Sequence, residues 1–78
     1  MSVRAYVLVQ TEVGQAAQVG AEAAGIEGVV AADSVTGPYD VIVRMEAETM
    51  DNLGKIVVSR LQLIEGVTRT LTFQVINL

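Results

Sequence analysis

The chain has 78 residues, 51% of them hydrophobic, and nine Asp+Glu against five Lys+Arg leave a net charge of -4. That length holds a single domain over residues 1–78, and so few cations supply no basic face for displacing counterions from phosphate, which argues against a nucleic-acid partner. With no histidine and no cysteine, the usual general base, nucleophile and metal ligands are missing, so no catalytic residue, metal site or cofactor is expected.

In chain order, residues 3–10, Val-Arg-Ala-Tyr-Val-Leu-Val-Gln, predict a strand from their β-branched and aromatic content. Val3, Ala5, Val7 and Val9 share one face, while Arg4, Tyr6, Leu8 and Gln10 share the other, which is only half polar. Thr11 is placed to cap a helix over 12–25 whose inner stripe reads Val13, Ala16, Ala17, Gly20 and Ala24, with Gln15, Gln18 and Glu22 opposite. Gly25 or Gly28 is expected to end that helix in a left-handed conformation. Residues 29–36 predict a second strand. Thr36-Gly37-Pro38-Tyr39-Asp40 is the tightest turn signal, because Gly permits positive φ and Pro fixes its own.

A third strand follows over 41–47, and Thr49 caps a second helix over 50–62, with Asp51 near its start suiting the helix dipole. Its inner stripe is Met50, Leu53, Val57, Leu61 and Ile64. Residues 67–76 form the last strand, in which Val67, Arg69, Leu71, Phe73 and Val75 alternate with Thr68, Thr70, Thr72, Gln74 and Ile76. No apolar run approaches the roughly 18 residues of a membrane span, and no leader pattern opens the chain, so a cytoplasmic protein without membrane contact is expected.

The chain is a duplication. Ile26-Glu27-Gly28-Val29 recurs as Ile64-Glu65-Gly66-Val67, and the same offset superimposes Val3 on Val41, Thr11 on Thr49 and Val19 on Val57. Two strand-helix-strand units give β-α-β-β-α-β, an α+β, ferredoxin-like arrangement with a four-stranded antiparallel sheet and both helices on one face. Strands one and three are then central. Tyr6, Leu8 and Ile42 would face outward on the uncovered side, and Leu71, Phe73, Val75 and Ile76 would lie along an edge. A chain this short hides only about 60% of its unfolded surface, yet its mean hydropathy is +0.48. The surplus is expected to face a second copy, sheet to sheet, in a homodimer or a larger assembly.

The residues that can carry chemistry are few. Gly37-Pro38-Tyr39-Asp40 reads first as a hairpin connection. It reads second as a small-ligand loop, in which turn amides take a carboxylate and Asp40 takes an ammonium group, matching the two ends of a free amino acid. Thr70 and Thr72 have ordinary strand propensity, or else line a polar pocket between subunits, whereas Thr68 is assigned to propensity alone. Arg69 and Arg44 read as solvated residues or as partners in an ion pair across an interface. Glu27 and Glu65, in the repeated tetrapeptide, read as structural.

The order strand, helix, Ile-Glu-Gly-Val, strand, Thr-Gly-Pro-Tyr-Asp-Val-Ile-Val, helix, Glu-Gly-Val-Thr-Arg-Thr-Leu-Thr resembles the effector domain of the Lrp/AsnC transcriptional regulators over residues 3–76. The resemblance implies sheet-to-sheet dimers that join into octamers or decamers, with an amino-acid effector bound between dimers by the loop joining the second and third strands. Gly37, Pro38, Tyr39 and Asp40 become the ligand loop on that basis, with Thr70 and Thr72 as secondary candidates. Full-length members carry an N-terminal helix-turn-helix domain, whereas the first strand here begins at Val3, so a stand-alone effector domain is expected. It would act by sensing an amino acid, or by mixed assembly with full-length regulators. Two other readings are a small dimeric monooxygenase of the same topology and a ligand-free adaptor. The ACT-type amino-acid sensors share the topology as well.

Overall fold

The computed structural model describes residues 2–78. In chain order the elements are β1 (Val3–Thr11), α1 (Ala16–Ala24), β2 (Val29–Ser34), β3 (Val41–Ala47), α2 (Met50–Ile56) and β4 (Val67–Gln74), with α2 running on into a π-helical turn over Val57–Leu61. The strands pair antiparallel in the order β2-β3-β1-β4. The expected β-α-β-β-α-β topology is therefore present, with β1 and β3 central.

Alternation along the two central strands builds the core. Ala5, Val7 and Val9 of β1 and Val41, Val43 and Met45 of β3 are fully buried, against Val19 and Ala23 of α1 and Leu53, Val57 and Leu61 of the second helical segment. Both helices thus cover the same face, as right-handed crossovers require. The α2 stripe follows the 3.6-residue pattern predicted for it, with Met50 and Ile64 packed at its margins. Thr49 caps it by accepting from Asn52 N at 3.1 Å.

The first helix departs from expectation. It begins at Ala16, and Gln15 occupies the cap position without a side-chain hydrogen bond. Residues 12–15 form a turn in which Gly14 has φ +82°, so the helical phase cannot start at Thr11. Thr11 ends β1 instead. Consequently Val13 projects wholly into solvent and Ala17 and Ala24 are exposed, whereas Val19, Gly20 and Ala23 face the core. At its other end, Gly25 caps the helix at φ -86°, and Gly28 supplies the left-handed residue three positions later. Two strands are shorter than predicted, β2 stopping at Ser34 and β4 at Gln74, whereas β3 spans its predicted residues and β1 runs one residue further. Val35 N donates to Asp40 O at 2.9 Å and closes the loop over 35–40, while Val75 N donates to Arg4 O at 2.8 Å and carries one bond beyond β4.

The repeated tetrapeptide forms the same turn twice. Val29 N donates to Ile26 O at 3.0 Å and Val67 N to Ile64 O at 3.1 Å, with Gly28 and Gly66 at φ +97° and +102°. The two turns reach across the duplication. A Cβ on Gly28 would lie 3.3 Å from Ile56 Cδ1 and 3.2 Å from the Glu46 carbonyl; one on Gly66 would lie 3.1 Å from Gln15 Cβ and 3.3 Å from Val19 Cγ2. Each half therefore seats its glycine on the helix of the other. Gly28→Ala and Gly66→Ala are each expected to lower unfolding free energy in urea by at least about 1 kcal/mol, from the left-handed backbone alone. An unchanged midpoint in both would show that these turns do not lock the halves together.

Candidate functional site

The loop joining β2 to β3 is held by its last residue. Asp40 N donates to Val9 O at 2.9 Å. The Asp40 carboxylate reaches β1 as well: its Oδ2 accepts from Thr11 N at 2.8 Å and lies 3.3 Å from Thr11 Oγ1. Thr11 is thus a tether for the loop rather than a helix cap. The repeat misdirected the sequence reading here, because its mate Thr49 does cap a helix; the signal against capping was Gly14, three residues after Thr11. With Asp40 anchored and half-buried beside Tyr39, residues Thr36, Gly37 and Pro38 stand exposed at the tip.

Gly37 does not use the left-handed region, where the positive-φ glycines are Gly14, Gly28 and Gly66. A Cβ at Gly37 would also meet nothing within 4 Å. Neither turn sterics nor packing inside the chain requires glycine there, contrary to the turn geometry anticipated for it.

Thr70 and Thr72 lie elsewhere. They pair with Val9 and Val7 of β1, on the helix side of the edge strand. Thr70 Oγ1 accepts from Gln62 Nε2 at 2.9 Å, within a cleft of about 300 Å³ lined by Gln62, Val67, Thr68, Arg69 and Thr70. Thr68 Oγ1 donates to the Gln10 carbonyl at 3.1 Å. Thr72 is exposed. Since β1 stands between β3 and β4, Asp40 and Thr70 are separated by roughly two strand spacings, about 10 Å. One protomer does not bring the loop and the threonines onto one small molecule.

The face opposite the helices is uncovered and organised in rungs. Asp33, Ile42, Leu8 and Leu71 form one; Ala31, Arg44, Tyr6 and Phe73 form the next; Glu46 stands opposite Arg4 in a third. Phe73 is 54% exposed and Tyr6 43%. Arg4, Tyr6, Arg44, Glu46 and Val75 border a cleft of about 280 Å³ at one end of this face. Arg4, Arg44 and Arg69 have no ion-pair partner among the described residues, where the single salt bridge is Lys55 to Asp51 at 3.3 Å. Among those residues no group of His, Cys, Asp and Glu has the geometry to hold a metal, and no helix is long and apolar enough to cross a membrane.

These features define a ferredoxin-like domain whose sheet is covered on one side only. The family model of the Lrp/AsnC ligand binding domain matches residues 4–77, and the chain belongs to that family. Among solved structures it is similar to FFRP-DM1, at 27% identity over 95% of this chain and 99% of that one, with a TM-score of 0.88. It is similar also to TTHA0845 from Thermus thermophilus, at 28% identity over 97% of this chain and 95% of that one, with a TM-score of 0.91. The transcriptional regulator NMB0573 from Neisseria meningitidis, in its complex with L-Met, shares the fold at 18% identity over 96% of this chain and 50% of its own, with a TM-score of 0.82. No curated protein matches the chain.

The tether makes a test of the loop. Asp40→Ala leaves Thr11 N without its partner and is expected to cost about 1 kcal/mol in urea unfolding, whereas Asp40→Asn retains an acceptor oxygen and stays within a few tenths of wild type. Equal losses in the two variants would mean that charge, rather than the acceptor, holds the loop.

Proposed function

We propose that this chain is an oligomeric effector module that takes a free amino acid, or a molecule with the same two charged ends, at the loop 37–40, and that it serves the transcriptional control of amino-acid metabolism in the cytoplasm. The observation that carries the reading is the loop's construction in a chain of this family. Its tip exposes backbone at Gly37 without needing glycine for its own geometry, while Asp40 is anchored through one carboxylate oxygen. The exposed amides can donate to a carboxylate. The second Asp40 oxygen, which makes no hydrogen bond among the described residues, can accept from an ammonium group, and Tyr39 can pack along the side chain. That a regulator of the same fold exists as an L-Met complex supports this ligand class.

One protomer offers a loop and not an enclosure, so the pocket is completed by another copy. The open face supplies the means: sheet-to-sheet pairing would cover Tyr6, Leu8, Ile42, Leu71 and Phe73 and give Arg44 and Arg69 acids to meet. Dimers, octamers or decamers all satisfy this, and mixed assembly with full-length regulators uses the same surface.

Titration calorimetry with the twenty amino acids, singly, on the assembled protein is the direct test. At least one is expected to give saturable heat, with Asp40→Asn and Gly37→Val each weakening it tenfold or more while leaving the folded mass unchanged. No heat from any amino acid in the assembled state would overturn the reading. A sedimentation mass of 8.3 kDa at micromolar concentration would overturn the shared pocket.

A further inference from the structure

Charge is divided unevenly over the surface. The uncovered sheet face carries Arg4 and Arg44 on the central strands and Arg69 on β4, three of the chain's five cations. It carries only two of the nine acids, Asp33 and Glu46. Three minus two leaves this face at +1, so the remainder of a chain of net charge -4 stands at -5. Cations gathered on one side of an acidic protein raise the local concentration of anions there.

Arg4 and Arg44 converge on one spot. In the register of β1 and β3, Arg4 stands opposite Glu46 and Tyr6 opposite Arg44, so the two arginines are diagonal neighbours on the same face. With Tyr6, Glu46 and Val75 they border the cleft of about 280 Å³, at the end of the sheet where Val75 N donates to Arg4 O at 2.8 Å. Neither guanidinium makes a hydrogen bond or an ion pair among the described residues, and neither does the Tyr6 hydroxyl. Glu46 borders the cleft as well, yet closes no ion pair with either arginine. The place is separate from the effector loop. Arg4 is five residues along β1 from Val9, whose carbonyl holds Asp40, a distance of about 17 Å at the rise of a strand.

We propose that this cleft binds a small oxyanion, the carboxylate or phosphoryl group of a metabolite, held between Arg4 and Arg44. A guanidinium presents a planar fork of donors that meets such a group with two parallel bonds, and the Tyr6 hydroxyl adds a donor beside it. Two arginines and one glutamate give the cleft a charge of +1. That matches a single anionic group and not the phosphate chain of a nucleic acid. The small volume sets the same limit. Sheet pairing sharpens the need, a step that rests on the assembly proposed above. Each copy brings three arginines and two acids to the shared face, so one guanidinium per copy is left over when every acid is paired. A buried charge without a counterion is strongly unfavourable, and one oxyanion per copy completes the count.

The test follows the arginine Nε–H resonances of nitrogen-15-labelled protein by NMR. The probes are inorganic phosphate and, separately, succinate, each against sodium chloride at equal ionic strength. Arg4 and Arg44 are expected to shift saturably with at least one of the two, while Arg69 does not. Saturation by phosphate alone identifies a phosphoryl ligand, and by succinate alone a carboxylate. Arg4→Gln and Arg44→Gln are each expected to weaken binding tenfold or more, Glu46→Gln to tighten it severalfold, and Arg69→Gln to leave it unchanged. Shifts that track ionic strength without saturating overturn the proposal, as does a loss in Arg69→Gln equal to that in Arg44→Gln. A monomeric mass together with saturable binding removes the paired assembly and leaves the cleft, which lies within one protomer.

Discussion

Everything else in the molecule follows from a core built on one side of the sheet. Helices α1 and α2 lie on the same face, where right-handed crossovers place them, and bury Ala5, Val7, Val9, Val41, Val43 and Met45 completely. The alternate residues of those strands must then point away from the helices. The open face is mixed: Tyr6, Leu8 and Ile42, with Leu71 and Phe73 of β4, stand among Arg4, Gln10, Arg44 and Glu46, so it is more apolar than a fully solvated antiparallel face. The accessible surface is 5021 Å², against about 4,600 Å² for a typical monomer of this mass. A sheet closed on one side only leaves Tyr6 and Phe73 in solvent, 43% and 54% exposed.

Duplication explains how so short a chain holds even its closed side. The halves share one sheet, and α1 packs on β2 of its own half and on β3 of the other. The repeated turns reinforce that exchange, with Gly28 seated against Ile56 and Gly66 against Gln15 and Val19. A side chain at either glycine would crowd the opposite helical segment by a few tenths of an ångström, on top of the left-handed backbone. The shared glycine of the two tetrapeptides is therefore a packing feature met twice, whereas Glu27 and Glu65 stand exposed.

Most of the fold was legible because it rests on short-range signals. Strict alternation in Val3–Thr11 and Val41–Ala47, and the stripe Leu53, Val57 and Leu61, each name one periodicity and one buried face. The α1 stripe was not legible in phase, for a physical reason. A helix rich in alanine has almost no amphipathic contrast, so its start decides its face, and the start was read from Thr11. Val19 with Ala16, Gly20 and Ala23 obeys helical spacing equally well and is the row that packs. The π-helical turn left no trace in periodicity, because it preserves the i, i+4 relation of Val57 and Leu61. At the candidate site the loop was visible as a turn, but its tether was not. A bond from Asp40 to Thr11 spans 29 residues, and local pattern carries nothing at that range.

Glycine separates what the protomer does for itself from what it leaves to another molecule. At Gly28 and Gly66 both the backbone angle and the nearby atoms demand the absence of a side chain, and the demand comes from within the chain. At Gly37 and Gly54 neither does, and the space beside each is empty. An unneeded glycine carries a cost in the folded state, through the larger entropy its unfolded chain loses on ordering. Neither backbone angle nor packing within the folded protomer offsets that cost at Gly37 or Gly54. Gly37 sits at the exposed tip of a loop whose last residue, Asp40, is anchored to Thr11. Gly54 sits one turn from Met50 and from Val58 on the second helical segment, where a Cβ would meet nothing within 4 Å.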